Sequence, residues 1–173
     1  MKNSNKLLTF ISLVLSLSII FAGTNVYAET TFEKIKRTGK VTVGTEAAFP
    51  PFEFVEDGKI VGYGKDILDY IIADMGVELN QLDLPWQGIL PGVLAGKFDF
   101  VATSVSIRAE RAKKYAFTVP IAEGTNWVMK RSGDSSIMSP DDLSDKVVCT
   151  QLASGSEKAT KEWEADMKSR GLK

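Results

Sequence analysis

FDFVATSVSIRAER, Phe98 to Arg111, is the stretch on which the reading of this chain turns. Phe98 to Val105 reads as a strand, and Thr103, Ser104 and Ser106 put three hydroxyl side chains within four residues at its end. Arg111 follows five residues after the last of them. Hydroxyls at a strand end that runs into a helix lie beside backbone N–H groups with no intrahelical partner, and the helix dipole favours an anion there. Arg111, one turn into that helix, is spaced to reach back as a bidentate fork for a carboxylate. The alternative is a surface helix that Ser106 merely caps, with Arg108, Glu110 and Arg111 in solvent. Spacing alone leaves both open.

Outward from this stretch, strands and helices alternate. TFEKIKRT, Thr31 to Thr38, predicts a short amphipathic helix that Gly39 can end, because glycine takes the left-handed conformation without penalty. Val41 to Glu46 and Phe52 to Val55 alternate apolar and polar residues, and Glu56-Asp57-Gly58-Lys59 is a hairpin turn signal. Ile67, Leu68, Ile71, Ile72 and Met75 recur at helical spacing from Asp66 to Met75, before Gly76. Val77 to Leu84 predicts a strand, and Trp86 to Leu94 a helix whose Pro91 argues for a late start near Gly88 to Leu90. Further strands are expected at Tyr115 to Val119, cut by Pro120, and at Lys146 to Gln151, with a last helix from Ser156 to Arg170. This rhythm indicates an α/β lobe with a largely parallel sheet, in which ligands sit at the carboxyl ends of the strands.

With 44% hydrophobic and 25% charged residues in 173, the composition is that of a soluble globular protein. Residues 1–28 are set apart: Lys2 and Lys6 precede an apolar run from Leu7 to Ala22, and Val26-Tyr27-Ala28 places small residues as a cleavage site does. We read a secretory signal peptide cleaved after Ala28, and hence a periplasmic protein. The remainder holds 19 basic and 22 acidic residues with no contiguous basic tract, so no nucleic acid partner is expected. Cys149 is the single cysteine, which excludes an intrachain disulfide. The absence of histidine excludes histidine-based triads and histidine-containing zinc sites. No metal or other cofactor is expected.

Several segments, in order, carry a family resemblance: VGTEAAFPPFEF (43–54), GYGKDI (62–67), WQGILPGVLAGKFDFVATSVSIRAER (86–111), YAFTVP (115–120) and QLASGSEKA (151–159). Residues 29–173 resemble the first two thirds of an extracytoplasmic solute-binding protein for polar amino acids, the receptor of an ABC importer. The resemblance implies a periplasmic binding protein-like type II α/β fold, incomplete here, with lobe 1 at 29–120, a crossover strand at 121–131 and part of lobe 2 at 132–173. It implies a binding protein rather than an enzyme, a monomer that delivers its amino acid to an ABC transporter permease.

By position, Arg111 would hold the ligand carboxylate, Ser104 and Ser106 would donate to it through side chain or backbone N–H, and Thr103 would contribute at the strand end. Phe49 and Phe52 would lie against the ligand's side chain or stem, and Glu46 would face a cationic or amide-bearing side chain. Trp86 would wall the pocket, and Ser154 and Ser156 would contribute from lobe 2. The acid that binds the ammonium in relatives falls in the part not matched, so truncation is expected to impair binding. A periplasmic dehydratase-like enzyme or a ligand-sensing lobe on the same fold is the alternative.

Overall fold

The computed structural model describes residues 28–173. The expected signal peptide therefore lies outside the described residues, apart from Ala28. The described residues fall into two units, one ending at Arg37 and the other spanning Thr38–Lys173. Helix α1 (Thr31–Thr38) carries the described part of the first unit. Its start is a reciprocal cap: the Thr30 hydroxyl accepts from the Glu33 N–H at 3.2 Å, and the Glu33 carboxylate accepts from the Thr30 N–H at 2.8 Å.

In the second unit, β1 (Lys40–Thr45) is the central strand of a three-stranded parallel sheet, between β5 (Glu78–Asp83) and β6 (Phe100–Val101). The register pairs Lys40 with Glu78 through Thr45 with Asp83, and Val43 with Phe100. Val41, Val43 and Thr45 are fully buried. A second, antiparallel sheet joins β2 (Ala48–Phe49), β3 (Glu53–Glu56) and β4 (Lys59–Val61). Its β3–β4 turn has Asp57 and Gly58 at φ of 50° and 74°, the left-handed pair that a tight hairpin demands.

Helix α2 (Tyr63–Met75) begins three residues before the apolar periodicity does. The carbonyls of Pro51 and Phe52 accept from the Tyr63 and Gly64 N–H groups at 3.0 and 2.8 Å, so tertiary contacts cap this end. Helix α3 (Trp86–Leu94) starts at Trp86, which corrects the late start inferred from Pro91. Trp86, Ile89 and Gly92 form its buried face, while Gln87 and Pro91 look outward. Burying two large apolar side chains contributes about 1.5–3 kcal/mol each, which offsets the roughly 3 kcal/mol that an interior proline costs. Phe98 locks this helix to the sheet: a methyl on Gly44 would approach its ring within 2.7 Å, and one on Gly92 within 2.6 Å. Only glycine on both sides admits the ring.

Four expected strands are corrected, among them the crossover at 121–131, which pairs with no neighbour among the described residues and forms no strand. The one foreseen over Phe98 to Val105 shrinks to Phe100–Val101, because the last backbone bond to β1 runs from the Ala102 N–H to the Gly44 carbonyl at 2.9 Å. Beyond it, side chains take over the pairing. Tyr115 to Val119 and Lys146 to Gln151 are not strands, since a strand needs a hydrogen-bonded neighbour and neither segment lies in register with one. Val119 stays 81% exposed and Val147 93%, while Tyr115 and Phe117 are only partly covered. Helices α4 (Ala109–Ala112) and α5 (Gly155–Ser169) follow, with a short 3-10 turn at Pro140–Leu143 between them.

Candidate functional site

All three parallel strands deliver side chains to one place at their carboxyl ends, where α/β sheets place ligands. Glu46 follows β1 and Phe49 lies three residues beyond; Trp86 opens α3 just after β5; Thr103 and Ser104 follow β6. The connections are pinned: the Asp83 carboxylate accepts from the Ala47 N–H at 2.9 Å, and the buried Thr45 hydroxyl donates to the Ala102 carbonyl at 2.8 Å. The sheet thus fixes the loops that form the site.

A cavity of 120 Å³ is lined by Glu46, Phe49, Trp86, Thr103, Ser104, Ser106, Arg111, Gln151, Ser154, Gly155 and Ser156. This brings together nine of the ten residues singled out in the sequence. Phe52 is the exception. Its ring stacks on Phe49 at 5.5 Å and meets Tyr63 edge-on at 6.0 Å, so it props the aromatic wall from behind. A larger groove of 590 Å³ alongside shares Arg111 and Ser154, but charged side chains of α4 and α5 line most of it and several are paired with one another.

Arg111 is the cationic end of the cavity. Its guanidinium carbon lies 5.2 Å from the centre of the buried Trp86 ring, and Nη1 donates to the Ser106 carbonyl at 3.2 Å. Stacking holds the planar group while leaving most of its donors for another partner. Desolvation first, and the neighbouring Arg108 guanidinium second, lower the Arg111 pKa from its ordinary value, a direction that an arriving anion would reverse. The Glu46 carboxylate, which also lines the cavity, accepts from the Gln151 amide at 2.6 Å. Gln151 and Gly155 escaped the sequence reading, although both lie within the QLASGSEKA segment.

The serines divide. Ser154 caps α5, its Oγ accepting from the Glu157 N–H at 3.1 Å. Ser156 donates from its hydroxyl to Asn126 Oδ1 at 2.9 Å. Thr103 and Ser104 both donate to Glu53, a nearly fully buried carboxylate that sequence reasoning passed over. Its signal was faint: an acid at an inward position of an otherwise ordinary hairpin strand. Ser104, expected to donate to a ligand carboxylate, donates here to Glu53, its hydroxyl at 3.0 Å and its backbone N–H as well.

A relative from Haemophilus influenzae, "Probable amino-acid ABC transporter-binding protein", is 28% identical over 96% of this chain and 62% of its own length. Two solved structures match with TM-scores of 0.70. One, "An ancestral arginine-binding protein bound to arginine", is 37% identical over 78% of this chain and 59% of that one. The other, "the ancestral amino acid-binding protein AncCDT-1, a precursor of cyclohexadienyl dehydratase", is 33% identical over 78% of this chain and 61% of that one. The chain thus spans about three fifths of the length of each. Residues 41–169 match a single family model, and the chain belongs to the bacterial extracellular solute-binding proteins, family 3.

Proposed function

We propose that this chain binds a polar amino acid for delivery to an ABC importer, with Arg111 receiving the carboxylate. The observation that carries the reading is the half-buried Arg111 guanidinium, stacked on Trp86 and lining the same cavity as the Glu46 carboxylate. One cationic and one anionic group in the lining suit a zwitterion with a side chain that can donate, and the named arginine-binding neighbour supports a cationic side chain. Residues 29–120 serve as lobe 1, 121–131 as the crossover and 132–173 as part of lobe 2. The protein works as a monomer in the periplasm, reached by cleavage after Ala28, and a permease is its partner.

Tryptophan fluorescence titrated with a panel of amino acids tests this. Trp86 lines the cavity, so saturable quenching by arginine or glutamine, and none by aliphatic amino acids, is the expected result. Because the missing part is expected to weaken binding, the titration runs to millimolar amino acid, and no response to any of them there would refute it. The neighbour described as a precursor of a dehydratase favours a second reading, an enzyme acting on a cyclohexadienyl carboxylate. Turnover of such a substrate, abolished by Arg111→Ala, would establish it.

A further inference from the structure

We propose that Glu53 is a positioning residue of this site, one that turns the Thr103–Ser104 segment into a pair of hydrogen-bond acceptors. The inference rests on the reading of the cavity as an amino-acid site. Glu53 opens β3 and is 2% exposed, yet it belongs to neither wall of the cavity. Its Oε1 accepts from the Thr103 hydroxyl at 2.7 Å and from the Ser104 N–H, and its Oε2 accepts from the Ser104 hydroxyl at 3.0 Å. Oε2 also lies against Gly64 in the first turn of α2, where a methyl would come within 2.5 Å. Three donors and a helix N-terminus offset the cost of burying the carboxylate.

The consequence follows from proton counting. A hydroxyl has one proton and two lone pairs. The Thr103 proton goes to Glu53 rather than to the Glu46 carbonyl, which lies 3.5 Å away. The Ser104 proton and N–H are likewise committed. What these two residues have left for the cavity is lone pairs, so the ligand group they meet is a donor: an ammonium, an amide N–H or a guanidinium. The carboxylate is left to Arg111 and the opposite wall.

Glu53→Gln tests this, because the isosteric amide puts a donor where one carboxylate oxygen stood and forces a hydroxyl proton toward the cavity. The probes are L-arginine, its desamino acid and norleucine, which remove the ammonium and the guanidinium in turn. We expect the variant to keep its melting curve, to bind arginine about tenfold more weakly, and to lose at least about threefold of its preference for arginine over one analogue. Equal weakening for all three probes, as from a merely loosened fold, overturns the proposal, and so does unchanged binding.

The wild-type Ser104 amide gives an independent reading by NMR. A downfield resonance that exchanges about a hundredfold more slowly than an open amide supports the bond to Glu53. An unshifted, fast-exchanging amide overturns it. That measurement stands even if no amino acid binds, in which case the proposed function fails and the role of Glu53 is still decided.

Discussion

Truncating Arg111 to alanine removes the group on which the functional reading depends, and its cost is calculable. A hydrogen bond between charged partners contributes about 1.5–3 kcal/mol. A guanidinium fork makes two such bonds that do not add fully, so about 3 kcal/mol is expected, a roughly 150-fold rise in Kd. Arg111→Lys separates charge from geometry: the ammonium keeps the Coulomb attraction but loses the fork and the stack on Trp86, for about 1.5 kcal/mol or roughly tenfold. Stability should change little, since a cation–π contact at a partly exposed site contributes about 0.5–1 kcal/mol and a chain of this size shifts by about 2–4 °C per kcal/mol. The assay is calorimetric titration with the amino acid that quenches best, beside a thermal melt of each variant. An Arg111→Ala chain that melts normally and binds within about threefold of wild type refutes the carboxylate assignment.

Two glycines in one helix should respond with opposite signs. Gly92→Ala drives a methyl to 2.6 Å from the Phe98 ring and should cost about 1–3 kcal/mol, whereas Gly88→Ala meets nothing within 4 Å and should gain up to about 1 kcal/mol from helix propensity; urea melts distinguish them. The ion pair between Glu110 and Lys158, 2.8 Å apart, should respond to pH. The hydrogen bond from Lys158 holds the Glu110 pKa below its ordinary value, so the tie is present above the unfolded carboxylate pKa and is lost as pH falls through the lower folded one. Lys158 is raised by the same bond, so at the alkaline end the tie persists to its unfolded pKa and is lost as pH climbs through the raised one. The difference in urea midpoint between wild type and Glu110→Gln should therefore vanish at both extremes; a difference that persists in strong acid would exclude the pair as its source.

The parallel core was legible because its signals are local. Alternation in Val41 to Glu46, helical spacing around Leu68 and Ile72, and the Asp57-Gly58 turn all act within a few residues. The helix start at Tyr63 was not legible, since the carbonyls that cap it come from Pro51 and Phe52. Pro91 misled for a related reason: a local penalty was weighed without the burial of Trp86 and Ile89 that outweighs it. The segments at Tyr115 and Lys146 carry strand composition, but a strand exists only where another supplies its bonds. At the site, nine residues were found through spacing and resemblance, because strand ends bring fixed positions together. Glu53 and Gln151 were not, since each acts through a partner about 50 or more positions away.

Glu53, Arg111 and Glu46 differ in how far their hydrogen-bonding capacity is used, and that difference separates support from recognition. Glu53 is buried and accepts three bonds, which leaves a carboxylate almost nothing to offer a ligand. Arg111 has five N–H donors, and among the described residues a single bond to the Ser106 carbonyl is seen for them. Glu46 accepts a single side-chain bond, from Gln151. A saturated charge can only hold its neighbours in place, whereas an undersatisfied one in a cavity gains by meeting its opposite when a ligand displaces water. The spare donors lie beside Trp86 and the spare acceptors just after β1, so the proposed ligand would present its anion to the first and its donors to the second. An amino acid with a polar side chain does so in one orientation, and its mirror placement would set carboxylate against Glu46.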